Sequence, residues 1–393
     1  MTTQRILFLD HTAVLGGAEL CLLDVAAYFR EGSLVALMED GPLREALERR
    51  GVRVTVLASG GSLRQVKRES AVPGLAAIGA VLSAAREVAR LARGYDVLYA
   101  NSQKAFVVAC VSAAFARRPV LWHLHDILDK RIFSRVNIGV DVFLANHVAS
   151  RVIANSQATA SALRANGGTR VPVDVVYNGI DLSVADGAAA ADVLATRASF
   201  GAGAGVGVVL GLFGRLAPWK GQDVAIRALA LLGPQHPDVH LVIVGDALFG
   251  EESYAAELRT LVASLGLGER VHFLGFRTDV PLLMRAVDVL VHTSTAPEPF
   301  GRVIAEGMLA RRPVIATAGG GASEIVKAGV TAWQVPPNDP AGLAAAIREV
   351  LANPSRASDV AAAGRADAIA RFTLSVTLPQ TERSIALAAG GRA

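Results

Sequence analysis

Short apolar runs rich in Val, Ile and Leu, each followed by a longer Ala- and Leu-rich segment of helical spacing, recur along this chain in two series. In the first series the runs are "RILFLD", "SLVALM", "VRVTVL", "DVLYAN", "VLWHLH", "RVIANS" and "VDVVYNG". They are apolar without strict alternation, which predicts strands covered on both faces, as in parallel sheets flanked by helices. The series breaks at a Gly-, Ala- and Asp-rich stretch from Gly179 to Gly207, then resumes with "VGVVLGLFG", "HLVIVGD", "RVHFLG", "VLVHTS", "PVIAT" and "AWQVPP". The expected fold class is therefore α/β, with two Rossmann-like parallel-sheet domains in series. We expect a first domain over 1–180, a linker with a short helix over 181–206, a second domain over 207–372, and a tail helix over 373–393 packing back towards the first domain. Such sheets bind ligands outside the carboxyl ends of their strands, so two of them facing each other imply a cleft.

Composition narrows the chemistry. The 39 basic and 35 acidic residues leave a net charge of only +4. The cations are scattered, without long runs or interleaved aromatics, so a nucleic-acid partner is not expected. Cys21 and Cys110 sit in apolar surroundings without CxxC spacing, which points to buried reduced thiols rather than a metal site or disulfide framework, and to a cytoplasmic location. Asp10 and His11 end the first apolar run before a secretory core could form. The longest uncharged stretches, Ala71 to Ala85 and Ala198 to Gly214, are too short or too glycine-broken to cross a membrane.

Three local patterns carry the chemistry. "PEPFGRVIAEG" places Glu298 in a loop after a strand and Glu306 about two turns into a helix expected to start near Phe300 or Gly301. Free N–H groups at that start favour oxygen-rich or anionic ligands. One carboxylate in the loop and one in the helix can accept from two polyhydroxy parts of one ligand; a surface Glu beside a helix-capping Glu is the plain alternative. A glycosidase would also use two carboxylates, but would leave "GRLAPWKGQ" unexplained. There Arg215 and Lys220 follow a strand ending at Gly214 and precede a helix, where two fixed cations can hold an anionic ligand. Solvated cations in a polar loop are the competing reading. In "LGGAEL", Gly16 and Gly17 open a helix and permit close approach of a ligand or simply a tight turn. In "WHLHD", His125 and Asp126 should face the ligand side and His123 should point back into the sheet. No Asp-x-Asp is present to chelate a metal-bound diphosphate, so no metal is expected.

The runs "LGLFGRLAPWKGQDVAIRALALL", "HLVIVGDALFGEESYAAELRTL", "RVHFLGF", "PEPFGRVIAEGML" and "GGGASEIV", with "GGAE", "WHLHD" and "VYNGID" in the first half, closely resemble the retaining GT-B glycosyltransferases of family GT4. One departure is Gly307, where the family usually has Ala; glycine costs a helix only about 1 kcal/mol against Ala. The resemblance implies a GT-B fold with an acceptor-binding first domain and a nucleotide-sugar-binding second domain. It implies that Glu298 holds hydroxyls of the transferred sugar, Glu306 the ribose, and Arg215 and Lys220 the diphosphate. His125 would contact the donor sugar, with Gly16, Gly17 and Asp126 beside it. The remaining donor contacts would come from Gly214, from Gly275, Phe276 and Arg277 near the base, and from Phe300, Gly301 and Arg302. The implied activity is transfer of a hexose-type sugar from a UDP- or GDP-linked donor to a glycan, glycolipid or small-molecule acceptor, with no cofactor and no protein nucleophile. A sugar-nucleotide epimerase and a non-catalytic sugar-nucleotide-binding protein stand as alternatives. Finally, residues 62–93 carry Arg64, Lys67, Arg68, Arg86, Arg90 and Arg93 around an apolar stretch. That segment either lies peripherally on the inner face of a membrane or covers the sheet with its cations solvated.

Overall fold

The computed structural model describes residues 4–59, 75–183, 187, 189–200, 207–248 and 250–390. The chain forms two compact units, one of Met1–Gly179 with Leu374–Ala393 and one of Ile180–Thr373. All thirteen runs expected to be strands form strands, all in parallel sheets.

In the first unit, strands β1 (Ile6–Asp10), β2 (Leu34–Leu37), β3 (Val54–Val56), β4 (Val97–Ala100), β5 (Val120–Leu124), β6 (Ala149–Ala154) and β7 (Val173–Val175) make one sheet in the order β3-β2-β1-β4-β5-β6-β7. All five residues of β1 are buried. Leu7 and Leu9 pack on one face, and Ile6 and Phe8 on the other. The two-residue period thus splits an all-apolar run between two cores. The first core lies under α3 (Leu75–Ala92), α4 (Gln103–Ala116) and α5 (Arg135–His147). The second lies under α1 (Gly17–Tyr28) and α2 (Pro42–Arg49). The helix α6 (Gln157–Ala165) starts with Ser156 accepting from the Thr159 amide, a side-chain N-cap.

In α3, Ala84, Ala85, Val88 and Ala92 are buried against the sheet, while Arg86, Arg90 and Arg93 face solvent. Residues 62–74, with Arg64, Lys67 and Arg68, lie outside the described residues except in their sequence. Among the described residues, no helix is long and apolar enough to cross a membrane.

The second unit repeats the order. Strands β8 (Val208–Phe213), β9 (Val239–Val244), β10 (Val271–Gly275), β11 (Val289–His292), β12 (Val314–Thr317) and β13 (Trp333–Val335) run β10-β9-β8-β11-β12-β13. The helices are α7 (Ala190–Ala198), α8 (Gln222–Leu232), α9 (Glu252–Ser264), α10 (Val280–Ala286), α11 (Arg302–Leu309), α12 (Ala322–Ile325), α13 (Pro340–Ala352) and α14 (Pro354–Phe372). Arg197 of α7 bonds Asp288 at 2.7 Å. Ile180 and Thr373, at the two ends of this unit, form a parallel bridge. The last helix, α15 (Leu374–Ala388), belongs to the first unit, where Leu378, Ile385 and Ala388 join the core under α1 and α2.

The helix carrying Glu306 starts later than expected. It opens at Arg302 with Gly301 as its N-cap, so Glu306 lies about one turn in rather than two. Gly307 also has a packing reason. A Cβ there would meet Leu290 Cδ1 at 2.6 Å and Val314 Cγ2 at 3.2 Å. The missing methyl lets α11 sit close on β11 and β12.

Candidate active site

Strand order reverses between β8 and β11 in the second unit, because each neighbour's connection leaves to a different side. Ligands of open parallel sheets bind where such a reversal opens a crevice at the strands' carboxyl ends. The loop after β8 carries Gly214, Arg215 and Lys220; the loop after β11 carries Glu298. Residues 78 apart in sequence meet here: Lys220 Nζ donates to Glu298 Oε1 at 2.5 Å. Ser294 Oγ donates to the same oxygen at 2.6 Å, and His292 Nε2 lies 3.3 Å from it. Burial of Glu298 opposes its ionisation, but the Lys220 ammonium and then His292 outweigh that and hold its pKa well below the usual carboxylate range. The carboxylate is thus kept charged in a nearly dry position.

Backbone geometry locks the pair. Gly221, at φ +67°, would bring a Cβ within 2.1 Å of the Thr293 carbonyl, so only glycine lets the Lys220 loop approach β11 this closely. Gly320, at φ +60°, stands in the same relation to the Glu298 carbonyl, where a Cβ would come within 2.2 Å. The Trp219 ring lies 4.1 Å from Lys220 Nζ and 5.6 Å from the Arg215 guanidinium carbon, a platform for both cations. Gln222 donates to the Arg215 carbonyl at 2.9 Å.

His292, Ser294 and Thr317 were not among the residues singled out in the sequence. Ser294 gives its hydroxyl proton to Glu298, and Thr317 gives its own to the Ser294 carbonyl at 2.8 Å. The His292 ring nitrogens lie within hydrogen-bond distance of both hydroxyl oxygens, Nε2 at 3.1 Å from Ser294 and Nδ1 at 3.3 Å from Thr317. The available signal was spacing: His292 and Ser294 are i and i+2 at the end of "VLVHTS", on one side of the chain.

The other expected donor residues are placed as follows. Arg302 Nε donates to Glu306 Oε1 at 2.7 Å within α11. Phe300 is buried, its ring 5.6 Å from that of Phe372, so its side chain serves the core. Gly275 ends β10, and its carbonyl accepts from the Gly245 amide at 2.8 Å. Phe276 is exposed, and Arg277 is paired with Asp279 at 2.8 and 2.6 Å.

In the first unit the reversal falls between β1 and β4. Gly16 caps α1 and Gly17 begins it; Glu19 folds back to accept from the Gly16 amide at 3.1 Å. Asp10 ends β1, fully buried, and accepts from the His11 amide at 2.6 Å and from Asn101 Nδ2 at 2.7 Å. Burial works against its charge, yet these bonds and His11 keep its pKa below the ordinary value. Asn101 Oδ1 in turn faces His125 Nε2 at 3.0 Å. Burial pushes the His125 pKa down to about 4, with Asp10 pulling the other way. Asp126, the next residue, is half-buried.

One expectation is corrected. His123 does not turn away from His125: their ring centroids are 3.9 Å apart. Residues i and i+2 of a strand share a face. The His123 ring bonds the buried Tyr99 hydroxyl, and burial followed by the neighbouring His125 holds its pKa well below the usual imidazole range.

Comparison with known proteins follows the division into units. The glycosyl transferases group 1 family matches residues 207–367, and glycosyltransferase family 4 matches residues 43–184. HepE of Anabaena, solved with UDP and glucose, is 40% identical, with 98% of this chain and 99% of that one covered and a TM-score of 0.87. Sucrose-phosphate synthase of Thermosynechococcus elongatus, 22% identical with a TM-score of 0.78 over 97% of this chain and 98% of its own, shares the fold. Among curated relatives, the 2-deoxystreptamine glucosyltransferase of Streptomyces kanamyceticus is 32% identical over 220 residues, 55% of each chain. The D-inositol 3-phosphate glycosyltransferase of Mycolicibacterium gilvum is 35% identical over 182 residues, 46% of this chain and 39% of its own. The chain spans about half the length of the curated relatives it matches. With its two parallel sheets and the full-length likeness to HepE, the chain belongs to the GT4-type glycosyltransferases of GT-B fold.

Proposed function

We propose that this protein is a retaining glycosyltransferase that moves a hexose from a nucleoside-diphosphate sugar, UDP-glucose first among candidates, to an acceptor hydroxyl without a catalytic metal. The observation that carries the reading is the pair of half-buried Lys220 with buried Glu298 at the β8/β11 reversal. A cation held by a carboxylate that stays ionised is preorganised for the charge that develops on a departing diphosphate, and such preorganisation lowers the barrier. Arg215, across the same Trp219 ring, supplies the second cation. Glu298 Oε2, which takes no part in the bonds to Lys220, Ser294 and His292, accepts from a sugar hydroxyl. Glu306 accepts from the ribose, and the Gly275–Arg277 backbone meets the base. His125, with Asp126 and the Gly16–Gly17 turn, orients the sugar. The acceptor oxygen bonds the anomeric carbon as the bond to the β-phosphate oxygen breaks, and the acceptor proton passes to that departing oxygen. No protein nucleophile enters.

The donor assignment is supported by HepE, which has been solved with UDP-glucose. The acceptor side is supported only broadly, since the relatives' names span aminocyclitol, inositol phosphate and lipopolysaccharide acceptors. A location on the inner face of a membrane belongs to the same proposal. Because α3 buries its apolar face against the sheet, that location rests on charge alone, on the outward Arg86, Arg90 and Arg93, and sedimentation with anionic liposomes tests it.

The deciding experiment is incubation with labelled UDP-glucose, UDP-galactose and GDP-mannose, with and without a chelator. UDP release from UDP-glucose, undiminished by chelator and giving a product of retained anomeric configuration by NMR, is expected. An isomerised donor would make the protein an epimerase, and binding without turnover a sugar-nucleotide sensor.

A further inference from the structure

Cys21 lies on α1 and the two histidines at the end of β5, yet one ligand atom from each of Cys21, His123 and His125 comes within 4.8 Å of the others. All three residues are buried, at 4%, 2% and 9% exposure. Neighbouring N and S ligands of a tetrahedral zinc ion stand about 3.3 to 3.6 Å apart, given bonds of about 2.0 to 2.3 Å. Closing the gap takes movement on the order of 1 Å, within reach of side-chain rotation.

The two rings supply a second, independent observation. Asn101 donates its amide protons to Asp10 and to the Ala18 carbonyl, so its Oδ1 acts as acceptor and His125 carries its proton on Nε2. That leaves His125 Nδ1 as a lone pair, buried and without a hydrogen-bond partner. His123 repeats the pattern with its nitrogens exchanged: Nδ1 is held by the Tyr99 hydroxyl, and Nε2 is buried without a partner. Unmet polar groups in a protein interior are uncommon and call for a cause. An imidazole anchored through one nitrogen to an oxygen, with the other nitrogen open, has the arrangement of a metal-bound histidine, whose outer partner fixes tautomer and orientation. The Asp10 carboxylate behind Asn101 adds negative charge on the side where a cation would need it.

We propose that Cys21 Sγ, His123 Nε2 and His125 Nδ1 form a binding site for a borderline-soft divalent cation, with Zn2+ as its natural occupant. Binding displaces the Cys21 thiol proton to solvent, and the thiolate becomes the third protein ligand. A bound ion takes His125 away from the donor sugar, so Zn2+ restrains transfer. That consequence rests on the function proposed above; the binding itself does not.

The test uses the reduced, tag-free full chain. Co2+ serves as a spectroscopic probe, and Zn2+ affinity is read by competition with a chromogenic chelator. Wild type and Cys110→Ser should show a thiolate-to-cobalt charge-transfer band with the visible bands of a tetrahedral ion. Cys21→Ser should lose the charge-transfer band. Cys21→Ser and His123→Gln should each bind Zn2+ at least about tenfold more weakly, while circular dichroism and metal-free melting show that the fold is kept. A wild type without the band, or Cys21→Ser with an equal one, overturns the site. In the activity arm, Zn2+ should suppress transfer by wild type and spare Cys21→Ser, whose activity without metal should match wild type. Zn2+ bound through Cys21 with transfer unchanged overturns the competition for His125. Absence of transfer in every sample, metal-free included, counts against the glycosyltransferase reading and leaves the cobalt spectra to decide the site.

Discussion

The two units use one sheet order and one kind of location for opposite electrostatics. At the β8/β11 reversal the buried acid is kept charged, with the half-buried Lys220 ammonium, Ser294 and His292 converging on an ionised Glu298. At the carboxyl ends of β4 and β5 in the first unit, the groups beside Asp10 are an amide and two imidazoles that burial keeps neutral. A parallel sheet therefore supplies a place, and the side chains that close it decide whether the place handles charge. In the proposed function the second unit takes the diphosphate, and the first takes neutral hydroxyls or, in the proposed metal site, a cation.

The largest expected effect strikes the charged side of this contrast. Arg215→Ala and Lys220→Ala should each lower transfer about 10²- to 10³-fold, as loss of one preorganised donor to developing charge does, with no rescue by added magnesium. Calorimetry should show a much greater loss of affinity for the nucleoside diphosphate than for the bare nucleoside. Equal losses for both would mean that these cations only support their loop. Next, Glu298→Gln should act chiefly on kcat, because that residue orders Lys220 and, in the proposed mechanism, meets the reacting sugar. Glu306→Gln should raise KM about tenfold through the loss of one charge-assisted hydrogen bond. Steady-state kinetics showing kcat effects of the same size for both would erase the division between them.

Two glycines compare the packing of the units. Gly307→Ala should destabilise the second unit by about 1 to 3 kcal/mol, because overpacking against Leu290 outweighs the helix gain of about 1 kcal/mol. Gly139→Ala, in α5 with nothing within 4 Å of the added Cβ, should stabilise the first unit by up to about 1 kcal/mol. Urea unfolding measures both, and a stabilising Gly307→Ala would contradict the close approach of α11 to β11.

The smallest effect lies in pH. Burial raises Asp141 in α5 to about 8 from an ordinary value of 3.8, with Asp126 adding to it. Its contribution is therefore complete below about pH 4 and is lost as pH rises towards 8. His240 and His272, 3.1 Å apart in the second unit, are held below 6.5, chiefly by burial. Arg270 adds to the effect on His240, and His240 to that on His272, while Asp238 and Glu269 oppose it. Their contribution is present above about pH 6.5 and is lost as pH falls below it. Asp141→Asn should thus flatten the melting profile between about pH 4 and 8, and His272→Gln should flatten it below about pH 6.5. If Asp141→Asn melts with the wild-type profile between about pH 5 and 8, the linkage assigned to it is wrong.

Much of this was legible in the sequence because the signals are local. Apolar runs of strand length, bounded by glycine and polar residues, mark β1 to β13 without reference to the rest of the chain. The loops holding Arg215, Lys220 and Glu298 are marked by the same boundaries, and the family resemblance pointed to them. The start of α11 was placed one or two residues early because its cap is Gly301, whose left-handed backbone leaves no side-chain signature. Gly307 read as a tolerated departure because the Leu290 methyl that explains it is on another element. His123 was turned the wrong way because the step from strand to loop at Leu124 hid the two-residue period it shares with His125.

By itself, then, the sequence determined two series of buried parallel strands and the loops where chemistry would sit, since strand periodicity and glycine placement act over a few residues. Only the tertiary structure decided which distant groups meet. Sheet order sets β1 beside β4 and β8 beside β11, and that adjacency brings Asn101 to Asp10 and carries Lys220, 78 residues away, to Glu298. Packing of α1 on the face shared by His123 and His125 likewise brings Cys21 to them. Spacing along the chain holds no trace of that meeting, because it depends on which face of the sheet each crossover covers.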